Sequence, residues 1–458
     1  MCFATLRTQW LTRLSCIALC FFAADVASAA GPLAIQNAKI ITVSGEIIEK
    51  GTILIRDGVI EAVGTDVEVP GEALVIDGEG KVVMPGFIDA HNSAGMSQAN
   101  EQNSVVPFLS VVDSIDPIAN YFEECRRNGI TSAAVVPGNS TLIGGKAAIV
   151  KTAGQYVNDM IVRRDSALKI SLRPVSGSRM SHLARLRKEL DKAVKEVENE
   201  KEADKKEEEK KDDKAAEKKP EAKKEGESKE GEKAESKAAA KPATGAATPT
   251  APTAADEGMK ALMAVVQGKM PAYMYCEQAM DVPAALKLVK DYNLKPIFVL
   301  GQQCHKAAKL LSSHGQSVIL DPTLVYWETN PRTREDEKII IPEIYREAKV
   351  PFIFQVSSAS SRGTVGSSYF WYQAATAVKH GTSEKDALAA LTLEPAKLLG
   401  IDKLVGSIEV GKEADLVILT GEPLDITTWV EHTIVGGEVV YDRAEDEKLQ
   451  RLLAPKAE

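Results

Sequence analysis

Short apolar runs alternate with helical patterns along most of this chain. Eight strand-like runs end at or near His91, Val136, Lys151, Leu172, Cys276, Leu300, Asp321 and Val356. Runs that are apolar throughout are typical of parallel strands buried on both faces. Helical periodicity lies between several runs, as in the stripe of Ile118, Tyr121, Phe122 and Cys125, and over 282–292, 305–313 and 336–349. The pattern predicts an α/β protein built on a (β/α)8 TIM-type barrel, with a doubly wound sheet as the alternative.

Both flanks of this pattern also read as β-structure. Residues 33–76 contain three strand patterns, with Asp57-Gly58 as a hairpin turn, and residues 406–442 contain two more. We expect the two sets to pair into one small β-sandwich. The predicted domains are therefore a composite β-sandwich from residues 30–81 and 402–445 and a barrel from residues 82–401.

The first 29 residues have the features of a secretory signal peptide. Arg7 and Arg13 are followed by an apolar run over 14–24, and Ala27-Ser28-Ala29 offers a cleavage site of small residues. The apolar run is too short to span a bilayer, which needs about 20 residues. We therefore predict export to the periplasm or the extracellular space.

A charged segment interrupts the barrel pattern. From Arg187 to Lys237 there are 17 basic and 19 acidic residues, a net charge of -2, and an Ala/Pro/Thr-rich stretch follows. Such a composition predicts a disordered or fluctuating single-helix insertion over residues 187–255. Its near-neutrality argues against a nucleic-acid-binding tail, which is usually strongly basic.

Four segments carry the most specific signals of the chain. They are V-M-P-G-F-I-D-A-H ending at His91, N-S-T-L-I-G-G-K at 139–146, T-L-E-P-A-K-L-L-G-I at 392–401 and G-S-I-E-V-G-K-E-A-D-L-V-I-L at 406–419. Together and in this order they resemble the amidohydrolase superfamily, in its imidazolonepropionase-like and prolidase-like branch. The resemblance runs from about residue 33 to 443, apart from the insertion.

This resemblance implies a metal centre at the C-terminal ends of the barrel strands. The metal polarises the scissile carbonyl and lowers the pKa of its bound water to about 7. The family's ligands are two histidines after strand one, often a lysine or carboxylate on strand four, histidines on strands five and six, and an aspartate on strand eight.

Most of these ligand positions carry other residues in this chain. His91 is the only ligand position retained, and Ser93 takes the second place after strand one. The remaining positions offer Tyr273, Tyr275, Cys276 and Glu277 on strand five, Leu300-Gly301 on strand six, and Gln355-Val356-Ser357-Ser358 on strand eight. Lys169 is expected to lie too early in its strand to reach the mouth, and His305 to lie on a helix surface. The sequence therefore predicts no metal site and no cofactor.

Two functional hypotheses follow. The first is an exported amidohydrolase-superfamily protein with a degenerate metal centre, which is catalytically impaired or acts as a binding pseudoenzyme. The alternative is an active amidohydrolase that cleaves C–N bonds of small amides, cyclic amides or dipeptides, with a rebuilt site or a reduced site holding zinc or another divalent metal. The candidate residues at the barrel mouth are His91, Ser93, Tyr275, Glu277, Ser357 and Ser358.

The expected partners follow from the same pattern. They are a small-molecule ligand in the barrel mouth and a second copy of the chain or an active paralogue, with no nucleic acid and no membrane span. In a third interpretation the charged insertion is the functional part and the barrel is its scaffold.

Overall fold

The structure is a computed structural model that describes residues 31–175, 177–216, 253–356 and 370–454, with the backbone alone for 207–216. The chain divides into two compact units, Met1–Phe87 with Ile401–Glu458 and Ile88–Gly400. The predicted signal peptide, residues 217–252, and Ser357 and Ser358 lie outside the described residues.

The secondary structure follows the predicted alternation in the barrel region. The strands are β1 (Leu33–Ile41), β2 (Ile47–Arg56), β3 (Val59–Gly64), β4 (Leu74–Asp77), β5 (Val82–Pro85), β6 (Phe87–Asn92), β7 (Ile130–Val135), β8 (Ile143–Lys151), β9 (Ile161–Ser171), β10 (Ala272–Cys276), β11 (Pro296–Leu300), β12 (Val318–Ile319), β13 (Val325–Thr329), β14 (Asp336–Ile340), β15 (Phe352–Ile353), β16 (Leu416–Leu419), β17 (Val430–Val435) and β18 (Glu438–Asp442). The α-helices are α1 (Asn120–Arg127), α2 (Val157–Met160), α3 (Arg179–Ala216), α4 (Ala254–Val266), α5 (Asp281–Tyr292), α6 (Ala308–Leu311), α7 (Ile341–Glu347), α8 (Phe370–Lys379), α9 (Glu384–Ala389), α10 (Leu393–Leu399) and α11 (Glu447–Leu453). All eight predicted barrel runs form strands.

The first unit is a sheet built from both ends of the chain. Its eight strands run in the order β18-β17-β16-β5-β1-β2-β3, with β4 paired to β1. Asp57 and Gly58 make the predicted turn between β2 and β3, and both have positive φ. The predicted sandwich of two sheets is not confirmed, because β5 pairs with β1 and with β16 and so joins both sets of strands into one sheet. Strand β5 was expected to belong to the barrel, and the same pairings place it in this sheet.

The second unit contains a nearly closed sheet of eight strands. They run in the order β15-β12-β11-β10-β9-β8-β7-β6. The pairs β9–β10, β10–β11, β11–β12 and β12–β15 are parallel, as expected. We call the C-terminal ends of these parallel strands the barrel mouth.

Strand β8 departs from the predicted all-parallel arrangement. It is antiparallel to both β7 and β9. The connections on either side of it, residues 136–142 and 152–160, are the reason. Parallel neighbours need a crossover of about a dozen residues or more, so these shorter links produce hairpins.

One predicted helix is wrong in its first half. Residues 336–349 were expected to form one amphipathic helix, but Asp336–Ile340 is a strand paired with β13. Helix α7 starts only afterwards, with Pro342 in its first turn. Proline is well tolerated there because the first N–H groups of a helix have no intrahelical partner.

Helix α3 shows that residue 187 is not the start of a disordered insertion. It continues through residue 187 to Ala216, and Leu186, Leu190, Ala193 and Val197 are buried. These four lie on one helical face because their spacing follows three- and four-residue steps, and the helix packs against α4. The first part of the charged segment is therefore part of the folded unit. None of the described helices combines the length and the apolar character needed to cross a membrane.

We expect residues 187–255 to contain one part that stabilises the fold and one that does not. Leu190→Ala should lower the free energy of unfolding by about 2–5 kcal/mol, because a buried leucine leaves a cavity. Replacing residues 217–252 by a Gly/Ser linker of equal length should change the free energy of unfolding by less than about 0.5 kcal/mol. The reason is that this segment has no apolar side chain larger than those of alanine and proline.

Urea unfolding checks both results. Lys192→Ala, an exposed position on the same helix, is the control for Leu190→Ala. A linker variant that unfolds at clearly lower urea would contradict the second expectation.

Candidate functional site

Lysine 169 lies inside the barrel rather than below its mouth. In β9 the apolar Leu168 and Ile170 alternate with Lys169, whose side chain is 0% exposed. Because successive side chains of a strand point to opposite faces, Lys169 faces away from these two apolar neighbours. Lys169 was expected too early in the strand to reach the mouth, and its buried side chain lies in the interior instead.

A hydrogen-bonded chain connects the strands at this level. Lys169 Nζ lies 3.0 Å from His91 Nε2, and His91 Nδ1 lies 2.8 Å from Gln355 Oε1. Gln355 Nε2 donates to the carbonyl of Leu320 at 2.7 Å, which directs Oε1 towards the imidazole. His91 Nδ1 is therefore the protonated nitrogen, and the lone pair of Nε2 accepts from Lys169.

Burial dominates the electrostatics of this pair. It lowers the pKa of His91 well below its usual range, and the charge of Lys169 lowers it further. Burial also lowers the pKa of Lys169 to about 7. Both shifts follow from the cost of holding a cation away from water.

Asp89, which the sequence analysis did not single out, holds the two end strands of the sheet together. Its Oδ1 accepts from the backbone N–H of Val356 at 3.2 Å, and its Oδ2 accepts from the Tyr121 hydroxyl at 3.0 Å. Burial raises the pKa of Asp89 to about 7. With the bond between His91 and Gln355, this carboxyl bridges β6 to the chain just after β15.

The predicted site residues are distributed over the mouth. Ser93 follows His91 and is half-buried, but the partners of the imidazole are Lys169 and Gln355. Tyr275 is 8% exposed, and its ring centroid lies 5.5 Å from Lys169 Nζ. Glu277 is half-buried and its Oε1 lies 3.1 Å from Arg173 Nε.

Two further positions bear on the metal hypothesis. Leu300 is 1% exposed and so belongs to the core. His305 was expected on a helix surface but is buried, with Nδ1 2.9 Å from the carbonyl of Gln302. It lies in a 3-10 helix, Gln302–Ala307, which directs its ring inward.

The donors at this site do not fit a zinc ion. Zinc in proteins takes three or four N, O or S ligands, and no group of three His, Cys, Asp or Glu side chains in the described chain could hold a metal. Both ring nitrogens of His91 already have protein partners. Lys169 Nζ faces the lone pair of His91 Nε2 that a metal would use.

Comparisons with known proteins agree with this architecture. The family model for amidohydrolases matches residues 376–441. Amidohydrolase tasK of Hapsidospora irregularis is 22% identical over 411 residues, 86% of this chain and 40% of that protein. The imidazolonepropionase of Bacillus cytotoxicus is 34% identical over 122 residues, 25% of each chain. The chain therefore spans less than half the length of these curated relatives.

A solved structure shows the same fold over nearly the whole chain. The crystal structure of an amidohydrolase from Thermotoga maritima covers 90% of this chain and 100% of its own, with a TM-score of 0.71 and 24% identity. The family match over residues 376–441 and the partial likeness to imidazolonepropionase point to the amidohydrolase superfamily, and the fold is shared with an amidohydrolase over nearly the whole chain. Two of the segments that carry the resemblance, residues 392–401 and 406–419, lie inside the family match.

His91 is the residue that the resemblance assigns to the first ligand position, and Lys169 lies on β9, the fourth strand of the sheet counted from β6. The described residues bring these two side chains into direct contact. At the strand-eight position where the family has an aspartate, the chain has Gln355, Val356 and then Ser357, which lies outside the described residues.

Proposed function

We propose that this chain is a binding protein with the amidohydrolase fold, and that a lysine–histidine pair takes the place of the metal centre. The observation that carries the proposal is the 3.0 Å contact between Lys169 Nζ and His91 Nε2. While the lone pair of Nε2 accepts a hydrogen bond from Lys169 Nζ, that nitrogen cannot also coordinate a cation.

The chemistry of hydrolysis supports the same conclusion. Metal-dependent amide hydrolysis needs a bound water of lowered pKa and a carboxylate that takes its proton. Gln355, bonded to His91 at the strand-eight end, has an amide that cannot take that proton. We therefore propose a small molecule in the barrel mouth as a ligand rather than as a substrate.

The second candidate is an active hydrolase of small amides, cyclic amides or dipeptides with a rebuilt site. The observation in its favour is the half-buried Glu277 carboxylate at the end of strand five, close enough to Tyr275 to raise its pKa. A carboxylate at a barrel mouth can act as a general base.

Elemental analysis of the natively purified protein separates these candidates from a metal enzyme. We expect clearly less than one zinc or other transition-metal ion per chain, and no hydrolysis of amides or dipeptides, because the donors do not fit. One tightly held ion per chain would contradict the proposal. Hydrolysis that resists chelation and is lost in Glu277→Gln, but not in the exposed control Glu384→Gln, would support the second candidate.

We also propose that the protein is exported and acts in the periplasm or outside the cell, as a homo-oligomer or beside an active paralogue. The support is the sequence pattern of residues 1–29. The mature form should begin at Ala30. Mass spectrometry of the secreted protein tests this, and an intact N-terminus would contradict it.

A further inference from the structure

A two-stranded hairpin is separate from both large sheets of the chain. Within the described residues, strand β13 pairs with β14 alone, and neither strand joins another sheet. One face of the hairpin packs on the 3-10 helix Gln302–Ala307. The Tyr326 hydroxyl lies 3.3 Å from His305 Nδ1, and Glu328 Oε1 lies 2.5 Å from Lys306 Nζ. An isolated two-stranded hairpin is marginally stable in water, so a further strand would stabilise this one.

The opposite face of the hairpin carries an exposed tryptophan. Because side chains alternate along a strand, Val325, Trp327 and Thr329 point away from the 3-10 helix, and we call them the outer residues of β13. The side chain of Trp327 is 66% exposed. Tryptophan is enriched at protein interfaces, where it often contributes a large share of the binding energy.

The hydrogen bonds at the two ends of the ladder show which backbone groups are free. The Asn330 N–H donates to the carbonyl of Glu335 at 2.8 Å, and the Ile341 N–H donates to the carbonyl of Leu324 at 2.9 Å. In an antiparallel ladder, every second residue turns its N–H and carbonyl towards the partner strand. The outer residues of β13 lie between these positions, so their N–H and carbonyl groups point to the free edge.

Charge protects the free edge of β14 but not that of β13. The residues of β14 that point to its free edge are Asp336, Lys338 and Ile340, and charged side chains at an edge oppose pairing with other strands. The outer residues of β13 carry no charge and are β-branched or aromatic. An edge of this kind is a template for another strand.

The edge of β13 is complementary to itself. When two β13 strands pair antiparallel about a two-fold axis at Trp327, the two tryptophan side chains lie opposite each other. Val325 of each copy then lies opposite Thr329 of the other, and Tyr326 lies opposite Glu328. Aromatic pairs and β-branched pairs stabilise such a ladder, and no like charges face each other in it.

The turn of the hairpin adds charge complementarity. Arg332 and Arg334 are exposed and form no ion pair within the described residues. The antiparallel arrangement places this turn beside the start of β13 in the other copy. Asp321, four residues before that strand, is half-buried and also has no ion pair in the described part of the chain. Opposite charges at matching places fix the register of an interface, here twice by symmetry.

We propose that two copies of this chain dimerise through β13 into one four-stranded sheet, and that each copy places Arg332 and Arg334 beside the barrel mouth of the other. The proposal gives the homo-oligomer proposed above a defined interface, and it does not depend on what the mouth binds. A pair of five-residue strands buries less area than a standard interface, so we expect a dissociation constant of about 1–100 µM.

Sedimentation velocity of the full chain between about 1 and about 500 µM measures the dissociation constant. Trp327→Glu places two like charges opposite each other at the two-fold axis and should weaken the dimer at least about tenfold. Leu74→Glu is the matched control, because Leu74 is also 66% exposed but lies on an edge strand of the other unit. Circular dichroism and urea unfolding should show that both variants keep the fold.

Disulfide cross-linking tests the register without removing the tryptophan. In the double variant Val325→Cys/Thr329→Cys, each new cysteine faces the other one across the axis, with Cα atoms about 5.5 Å apart, a separation that a disulfide can bridge. In either single variant, the two copies of the cysteine lie about 13 Å apart along the strands. Oxidised glutathione, which is reduced as the disulfide forms, should therefore give a covalent dimer of the double variant, in excess of the parent protein and both single variants.

Reversal of the two turn charges tests the contact with the other copy's mouth. Arg332→Glu/Arg334→Glu places acidic groups beside Asp321 and should weaken the dimer about tenfold. An unchanged dissociation constant in this variant overturns the placement of the turn.

The remaining outcomes separate the interface from the proposed function. A parent protein that stays monomeric at about 500 µM overturns both the interface and the homo-oligomer. A dimer that Trp327→Glu weakens no more than Leu74→Glu, or a double cysteine variant that cross-links no more than the single variants, overturns the interface and leaves the homo-oligomer standing. A bound metal or amide hydrolysis in the same preparations would contradict the proposed binding function without affecting the dimer.

Discussion

Replacing Asp89 by alanine is expected to lower the free energy of unfolding by about 3 kcal/mol. The change removes the acceptor of the Val356 N–H and of the Tyr121 hydroxyl, both of which lie in the interior. A buried donor left without an acceptor costs about 1–3 kcal/mol, and the lost atoms leave a small cavity. Urea unfolding at constant pH measures the effect.

Asp89→Asn is the informative companion variant. It keeps the volume and one oxygen for the Val356 N–H, so it should cost about 1 kcal/mol. Asp66→Ala, at an exposed position, should change the free energy of unfolding by less than about 0.5 kcal/mol. If Asp89→Ala were as stable as Asp66→Ala, the bridge between β6 and the chain after β15 would not hold the barrel together.

The second large effect is a dependence of stability on pH that originates at Lys169. Burial lowers its pKa from 10.5 to about 7 in the folded protein. Between these values the unfolded chain holds a proton that the folded chain has released, so the free energy of unfolding rises with pH. The rise from about pH 7 to about pH 10 should be on the order of 4 kcal/mol.

Lys169→Met isolates this contribution. The difference in unfolding free energy between the parent protein and this variant should change by about 4 kcal/mol between about pH 7 and about pH 10. Lys50→Met, at an exposed position, should give a difference that does not follow pH. A flat difference for Lys169→Met would mean that Lys169 keeps its proton in the folded state, stabilised by groups other than His91.

Much of the barrel could be predicted because its signals are local. Each of the eight apolar runs is a strand, and the Asp57-Gly58 turn lies where the pattern placed it. Strand direction depends instead on the length of the connections. The number of apolar runs carries no information on direction, whereas the links around β8 are shorter than a parallel crossover needs.

In helix α3 the amino-acid composition and the spacing of the apolar residues point to different structures. The charge density of residues 187–237 indicates disorder, yet Leu190, Ala193 and Val197 lie on one helical face and are buried. Three apolar side chains at this spacing bind a helix to its neighbour whatever the charge of the other face. The stripe was present in the sequence and could have been found.

The site was harder to predict because its contacts join distant strands. His91 and Lys169 are 78 residues apart, and His91 and Gln355 are 264 apart. The alternation of Leu168, Lys169 and Ile170 is a local signal for an inward lysine. Its contact with an imidazole depends on the packing of strands across the barrel, which no short pattern records.

The first unit is built from both ends of the chain, so its sheet can be completed only late in synthesis. Met84 in β5 pairs with Val417 in β16, 333 residues later. At roughly 5–20 residues per second, the ribosome needs roughly 15–70 s to reach the second strand. During that time one edge of β5 presents unpaired N–H and carbonyl groups beside the apolar Val83 and Met84, and such edges pair readily with other chains. The barrel can begin to fold in that interval, whereas the terminal sheet stays incomplete until its last strands emerge.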